Sequence, residues 1–267
     1  MKPTPLIAFV DHEIGHRLLQ RLIDEHARGG IALVAVVTTQ DNGQRWWPGV
    51  AGLCEAAGLP LHRFGPGLQP HDLPEAELHL LLSWKHLMPA PWLARPRRGT
   101  LNLHYSLLPA HRGAYPVNWA LIQGDRRTGV SLHWVDERVD HGPLLLQRAL
   151  DIAPGDTARS LQRRLDDLAA SAFDELLPWL RDPAQPAPTA TADALASYHS
   201  AADFAAGAAL DPDSTWRAGD LINLLRGRSF LPDSRLLHLT DPATGRRVYL
   251  RLELEDEAAP PPAEPPN

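Results

Sequence analysis

Two uninterrupted apolar runs, Leu6–Val10 and Ile31–Val37, bracket a stretch whose apolar residues recur at positions 18, 19, 22 and 23. No other feature of the chain constrains its fold so tightly. A short, continuous apolar run is what a strand buried on both faces requires, and the intervening spacing is that of one helix face. The alternation continues. A helix is expected over Pro48–Ala57, a strand near Leu61–Phe64, strands at Leu78–Leu82 and Thr100–His104, and a helix at Asn118–Ile122. Strands at Thr128–Val135 and Leu144–Ile152 follow, then a long amphipathic helix over Asp156–Leu180 with Asp156 and Thr157 as cap candidates. Strands alternating with helices imply an α/β fold with a mostly parallel sheet.

Beyond that region the character changes. Arg181–Thr191 (RDPAQPAPTAT) reads as a linker, followed by a helix at Trp216–Arg226. A hairpin is expected from Arg235–Leu239 through a turn at Asp241–Gly245 to Val248–Leu254. The 267 residues thus divide into a core over 1–185, a small extension over 186–258 and a Pro-rich tail over 259–267. With 44% hydrophobic residues the core has ample material. A single cysteine, Cys54, excludes an internal disulfide and a Cys-rich zinc site. No apolar stretch approaches membrane-spanning length, so the expectation is a cytoplasmic protein with no membrane partner. The net charge of −6 argues against nucleic acid as a partner, because neutralising phosphates takes a basic face.

His12-Glu13-Ile14-Gly15-His16 matches the H-E-x-x-H string of zinc peptidases, in which two histidines one helical turn apart hold the metal and the glutamate acts as base. The string is short, it follows directly on a buried strand, and positions 19 and 22, where the extended motif needs Gly and His, are both Leu. The reading preferred here is a strand-to-helix turn with Gly15 opening the first helix; no metal is expected, and zinc chemistry stands as a rival.

The chemistry concentrates in Leu101-Asn102-Leu103-His104-Tyr105-Ser106-Leu107-Leu108-Pro109, with Arg112-Gly113 and Pro116 following. On a strand, Asn102 and His104 project from one face, at the carboxyl edge where open α/β sheets bind ligands. Asp140 follows in the loop Asp136–Pro143. An amide, an imidazole and a carboxylate meeting there suit acyl transfer to an amine without a covalent intermediate. A neutral imidazole can take the amine proton, the amide can donate to the developing oxyanion, and the carboxylate can orient the imidazole. Cys54 lies in an expected helix and Ser106 lacks an evident base, so neither is offered as a nucleophile.

The run N-x-H-x-S-L-L-P-x-x-R-G-x-x-P, then G-D-x-x-T-G-V-S-L-H, then D-x-G-P, resembles the formyltransferases that use 10-formyltetrahydrofolate: methionyl-tRNA formyltransferase, glycinamide ribonucleotide transformylase and the sugar N-formyltransferases. The likeness is dense from about Leu80 to Leu180. It implies a Rossmann-like core and assigns the catalytic Asn, His and Asp to Asn102, His104 and Asp140. It implies a folate pocket walled by His86, Leu87 and Met88 and by Asp136 and Val139 of the Asp140 loop, with Met88 equally readable as plain core. Ser106, Arg112 and Tyr115 would face the acceptor, and a homodimer is an open possibility. The charge and the acidic Glu253–Glu257 segment point away from tRNA and toward a small amine, either a nucleotide-linked aminosugar or an amino-acid-derived amine. A formyltetrahydrofolate hydrolase, a methionyl-tRNA formyltransferase and a silent folate- or nucleotide-binding module remain the rivals within this fold.

Overall fold

A computed structural model describes residues 3–39, 49–181, 196–229 and 236–254. Strand β1 (Thr4–Val10) leads into α1 (His12–Ala27), β2 (Ile31–Thr38), α2 (Val50–Ala57) and β3 (Leu61–Arg63). A 3₁₀ turn at Pro70–Asp72 precedes β4 (Leu78–Leu82), α3 (Ala90–Leu93) and β5 (Gly99–His104). Next come β6 (Arg112–Gly113), α4 (Pro116–Ile122), β7 (Arg127–Trp134), β8 (Leu144–Asp151) and α5 (Ala158–Arg181). The extension holds β9 (Tyr198–His199), α6 (Ala201–Ala206), α7 (Ala218–Gly227), β10 (His238–Thr240) and β11 (Arg247–Tyr249).

Seven strands form one sheet in the order β3-β2-β1-β4-β5-β7-β8. The first five pair in parallel, whereas β7 runs antiparallel to β5 and β8 antiparallel to β7. This is the expected mostly parallel, Rossmann-like α/β fold, with the small antiparallel β10–β11 hairpin beyond it. The strands are apolar throughout because both faces are covered. Leu6, Ala8 and Val10 of β1 pack in one core with Leu18, Leu19 and Leu22 of α1 and Leu165 and Phe173 of α5. Ile7 and Phe9, pointing the opposite way, join Val37, Leu81 and Trp92 in a second core. Gly15 is buried in α1 because a Cβ there would lie 2.8 Å from the Leu82 carbonyl oxygen.

Thr157 caps α5 as anticipated: its hydroxyl accepts the Ser160 N–H, and Ser160 Oγ accepts the Thr157 N–H in return. Arg181, expected to begin a linker, instead ends α5, and its guanidinium reaches Glu25 of α1. The rest of that linker, the Pro-rich tail and Arg235 lie outside the described residues. Sequence periodicity missed β6, β9 and α6, since pieces of two to six residues are too short to carry a period.

Candidate active site

Asn102 and His104 lie within the last three residues of β5 and leave the same face, while Leu101 and Leu103 are buried in the core. His104 is almost fully buried, and its Nε2 lies 2.9 Å from the His111 carbonyl oxygen. A carbonyl can only accept, so Nε2 carries the proton and Nδ1 of the neutral ring keeps its lone pair. Nδ1 in turn faces Oδ2 of Asp140 at 3.5 Å. Burial disfavours the cation and holds this imidazole below its ordinary range, outweighing the pull of Asp140 toward protonation.

Asp140 reaches the pair by a route the sequence did not disclose. Because β7 is antiparallel, it ends at Trp134 opposite Leu101, toward the amino end of β5, and the following loop folds over the sheet face. Gly142 makes that fold possible, since a Cβ there would sit 1.9 Å from the Trp134 carbonyl oxygen. Asp140 itself adopts a left-handed backbone, φ 49°. Its Oδ2 accepts the Gly113 N–H at 2.9 Å, and its carbonyl accepts Arg112 Nε at 3.1 Å. Burial opposes ionisation of the carboxyl, but His104 and His133, which are protonated in the acid range where a carboxyl titrates, and the Gly113 N–H together hold it well below the usual carboxylate range. The site therefore sets a neutral imidazole against a carboxylate.

His133 of β7 is the functional neighbour that sequence reasoning missed. It stands opposite Asn102 in the β5–β7 register. Its Nδ1 donates to the Trp134 carbonyl (2.8 Å), leaving Nε2 to accept from Asn102 Nδ2 at 3.1 Å. The same Nδ2 donates to Asp140 Oδ1 at 3.2 Å. Both amide protons of Asn102 are thus engaged, and the amide orientation is settled, because its oxygen would otherwise oppose a carboxylate. The signal was the histidine of S-L-H, but its meaning depends on a strand register that no local pattern encodes.

Residues 69–177, which carry all four of these side chains, match the family described as formyl transferase. Residues 203–256 match the N-formyltransferase dimerization C-terminal domain. The chain thus matches formyltransferases in two separate stretches, the catalytic one and the C-terminal one. It is 35% identical over 175 residues to a methionyl-tRNA formyltransferase of Geobacter metallireducens, an overlap of 60% of this chain and 53% of that one. The match therefore spans about half the length of that relative. A Mycobacterium tuberculosis protein described as a candidate sugar N-formyltransferase superposes with a TM-score of 0.75 at 25% identity, covering 96% of this chain and 100% of that one. An N-formyltransferase from Helicobacter canadensis, solved with folinic acid and dTDP-3-aminofucose, shares the fold at 17% identity and a TM-score of 0.69, covering 85% and 81%.

The remaining residues expected of a formyltransferase divide into those at the surface and those in the core. His86 is exposed beside the rings of Phe64 and Trp84, at 5.1 and 5.3 Å, and Leu87 is 74% exposed. Met88 is not available to cover a ligand ring: it is buried in the second core with Phe9 and Trp92. Asp136 is spent locally, its Oδ1 accepting the Arg138 N–H in an Asx turn, whereas Val139 remains half-buried on the loop. On the acceptor side Ser106 is corrected outright. It has no exposed surface, its Oγ donates to the Ala110 carbonyl (2.6 Å), and its carbonyl accepts Ser131 Oγ, so it locks the turn after β5. Tyr115 stacks on Phe204 at 4.3 Å and so anchors the extension. Tyr105 donates to Asp166, and Trp134 packs edge-on against Trp179. Arg112, with Arg138, Val139, His141 and Tyr198, lines a cavity of about 230 Å³ on the flank of Asp140.

The H-E-x-x-H segment forms the first turn of α1. His12 Nδ1 bonds to Ser83, and among the described residues no group of three or more His, Cys, Asp or Glu is disposed to hold a metal ion. Cys54 is buried, and burial pushes its thiol up to about 11, away from nucleophilic use.

Proposed function

We propose that this chain is an enzyme that transfers the formyl group of 10-formyltetrahydrofolate to a primary amine of a small metabolite, a nucleotide-linked aminosugar or an amino-acid-derived amine. The observation that carries the reading is the Asn102–His104–Asp140 constellation, in which the imidazole is neutral with its lone pair on Nδ1. The amine nitrogen attacks the formyl carbon and the bond from that carbon to N10 of the folate breaks. The proton lost by the amine passes to His104 Nδ1 and then to the departing nitrogen. Protonating Nδ1 turns a lone pair facing a carboxylate into an N–H facing one, so Asp140 favours the ring once it has taken the proton. Negative charge on the formyl oxygen is met by Asn102, whose N–H toward His133 is the one exchanged for it.

The donor rests against the exposed His86–Leu87 segment and the Val139 loop. The acceptor enters from the cavity beside Asp140, where Arg112 and Arg138 favour an anionic group such as a phosphate or carboxylate. Two copies associate through the extension, which bears the exposed side chains of Trp216, Ile222 and Val248. The likeness to a methionyl-tRNA formyltransferase favours tRNA as a second reading, against which stands the net charge of −6.

The test is to incubate the protein with 10-formyltetrahydrofolate and, in turn, aminosugar nucleotides, ornithine-type amines, charged methionyl-tRNA and no acceptor. Formylation of a small amine, seen by mass spectrometry, supports the proposal. Formylation of tRNA alone favours the second reading. Formate released equally with and without amine points to a hydrolase.

A further inference from the structure

His111 lies in the turn between β5 and β6, is buried, and has a left-handed backbone at φ 53°. That conformation is unfavourable for a residue with a Cβ and persists only where its surroundings enforce it. Three contacts do so here. The His111 N–H donates to Ser197 Oγ at 2.8 Å. Nε2 of its ring lies 2.7 Å from Oδ2 of Asp125, which follows α4, and Nδ1 lies 3.1 Å from Nε2 of His199 on β9. His199 is itself sandwiched, with Trp119 of α4 stacked on it at 4.2 Å and 12°. Strand β9 lies parallel to β6, in the register Gly113↔His199. The side chain of His111 is thus fixed between the core and the first strand of the extension, and its backbone carbonyl is directed at His104 Nε2.

We propose that His111 is a positioning residue: its imidazole, clamped between Asp125 and His199, fixes the direction of its own carbonyl, and that carbonyl selects the Nε2–H tautomer of His104. Without it, the acceptor that faces the ring among the described residues is Asp140, which sits on the Nδ1 side and would favour the opposite tautomer, Nδ1–H. In that tautomer the base has its proton already in place on the atom that must receive one. The selection of the ring proton is a ground-state property and stands apart from the identity of the acceptor.

The experiment is a long-range ¹H–¹⁵N correlation of the histidine rings in the full-length protein without ligands, with His104 assigned by its loss in His104→Gln. The wild type is expected to show His104 as the Nε2–H tautomer. In His111→Ala, which keeps a Cβ in the left-handed region but loses both ring contacts, a large share is expected to shift to Nδ1–H. His111→Asn, a residue that tolerates left-handed backbone and keeps an amide toward His199, should recover most of the Nε2–H form. If His111→Ala does not fold, Asp125→Asn and Ser197→Ala, which each loosen one contact, take its place and are expected to give mixtures. An unchanged, pure Nε2–H signal in every folded variant overturns the proposal. Where formyl transfer is measurable, kcat of His111→Ala should fall roughly 10–100-fold with KM for the folate donor little changed. A protein inactive on every amine overturns the proposed function and leaves the tautomer result standing.

Discussion

Nδ1 of His104 stands 3.5 Å from Oδ2 of Asp140, lone pair toward carboxylate, because Nε2–H is already committed to the His111 carbonyl. The pair is poised to gain a hydrogen bond when the ring takes a proton, and the pH dependence follows from it. The base must be neutral to act, so kcat/KM rises with pH through the His104 ionisation, which burial holds below the ordinary 6.5. In Asp140→Asn the carboxylate no longer favours the cation, so the acid limb moves to lower pH. The plateau falls by roughly 10²–10⁴ because the protonated ring loses its counter-charge. A profile from about pH 4 to about pH 9 checks both; a limb displaced upward would contradict this geometry.

The Asn102–His133 hydrogen bond of 3.1 Å makes the two residues one unit. Asn102→Ala should cost about 10²–10³ in kcat through loss of an oxyanion donor. His133→Ala should cost roughly tenfold, since the amide keeps Asp140 as its other partner. The double variant should be no slower than Asn102→Ala alone, and additive losses would show that the histidine acts independently.

Two glycines give a contrast in stability. Gly142→Ala drives a Cβ into the Trp134 carbonyl and should cost about 1–3 kcal/mol while displacing Asp140 and abolishing most activity. Gly52→Ala, on α2 with open space at its Cβ, should stabilise by about 0.5–1 kcal/mol and leave activity unchanged. Thermal melts and rates on the two variants test the pair.

His79 of β4 is wholly buried against Phe9, with neither ring nitrogen bonded among the described residues, and burial pushes it down to about 4. The folded state refuses a proton that the unfolded chain accepts below 6.5. Stability is therefore full above that pH and is lost as pH falls toward 4, by on the order of 3 kcal/mol from this residue. Denaturant melts of His79→Leu should show a shallower decline over that window. His104 supplies some of what remains, its shift having the same sign.

Phe204 of α6 lies between the Tyr115 ring, stacked at 4.3 Å, and the guanidinium of Arg228, which lies 4.2 Å from its centroid and donates to its carbonyl. Burial lowers Arg228 to about 10, so it remains charged over this aromatic face at neutral pH. Phe204→Ala should cost about 3–5 kcal/mol and expose the extension to limited proteolysis before the core. Simultaneous cleavage of both parts would contradict a separate docking contact.

Much of this protein was legible in its amino-acid order. Continuous apolar strands and a helical period between them are local patterns forced by burial on two faces, and they foretold the sheet, its principal helices and the cap at Thr157. The period-two geometry of β5 likewise put Asn102 and His104 on one face. The tertiary structure decided what depends on register and on approach from a distance. The antiparallel turn of β7 brought His133 opposite Asn102 and sent the Asp140 loop across the sheet face. Packing density around the second core buried Met88, and the turn after β5 consumed Ser106. The ring proton of His104 was decided farthest away, by a carbonyl seven residues on whose direction is held by Asp125 and His199. Sequence specifies which groups a strand presents. Which of their protons and lone pairs are free is set by partners brought together from 7 to 88 residues apart, and only the folded chain places those.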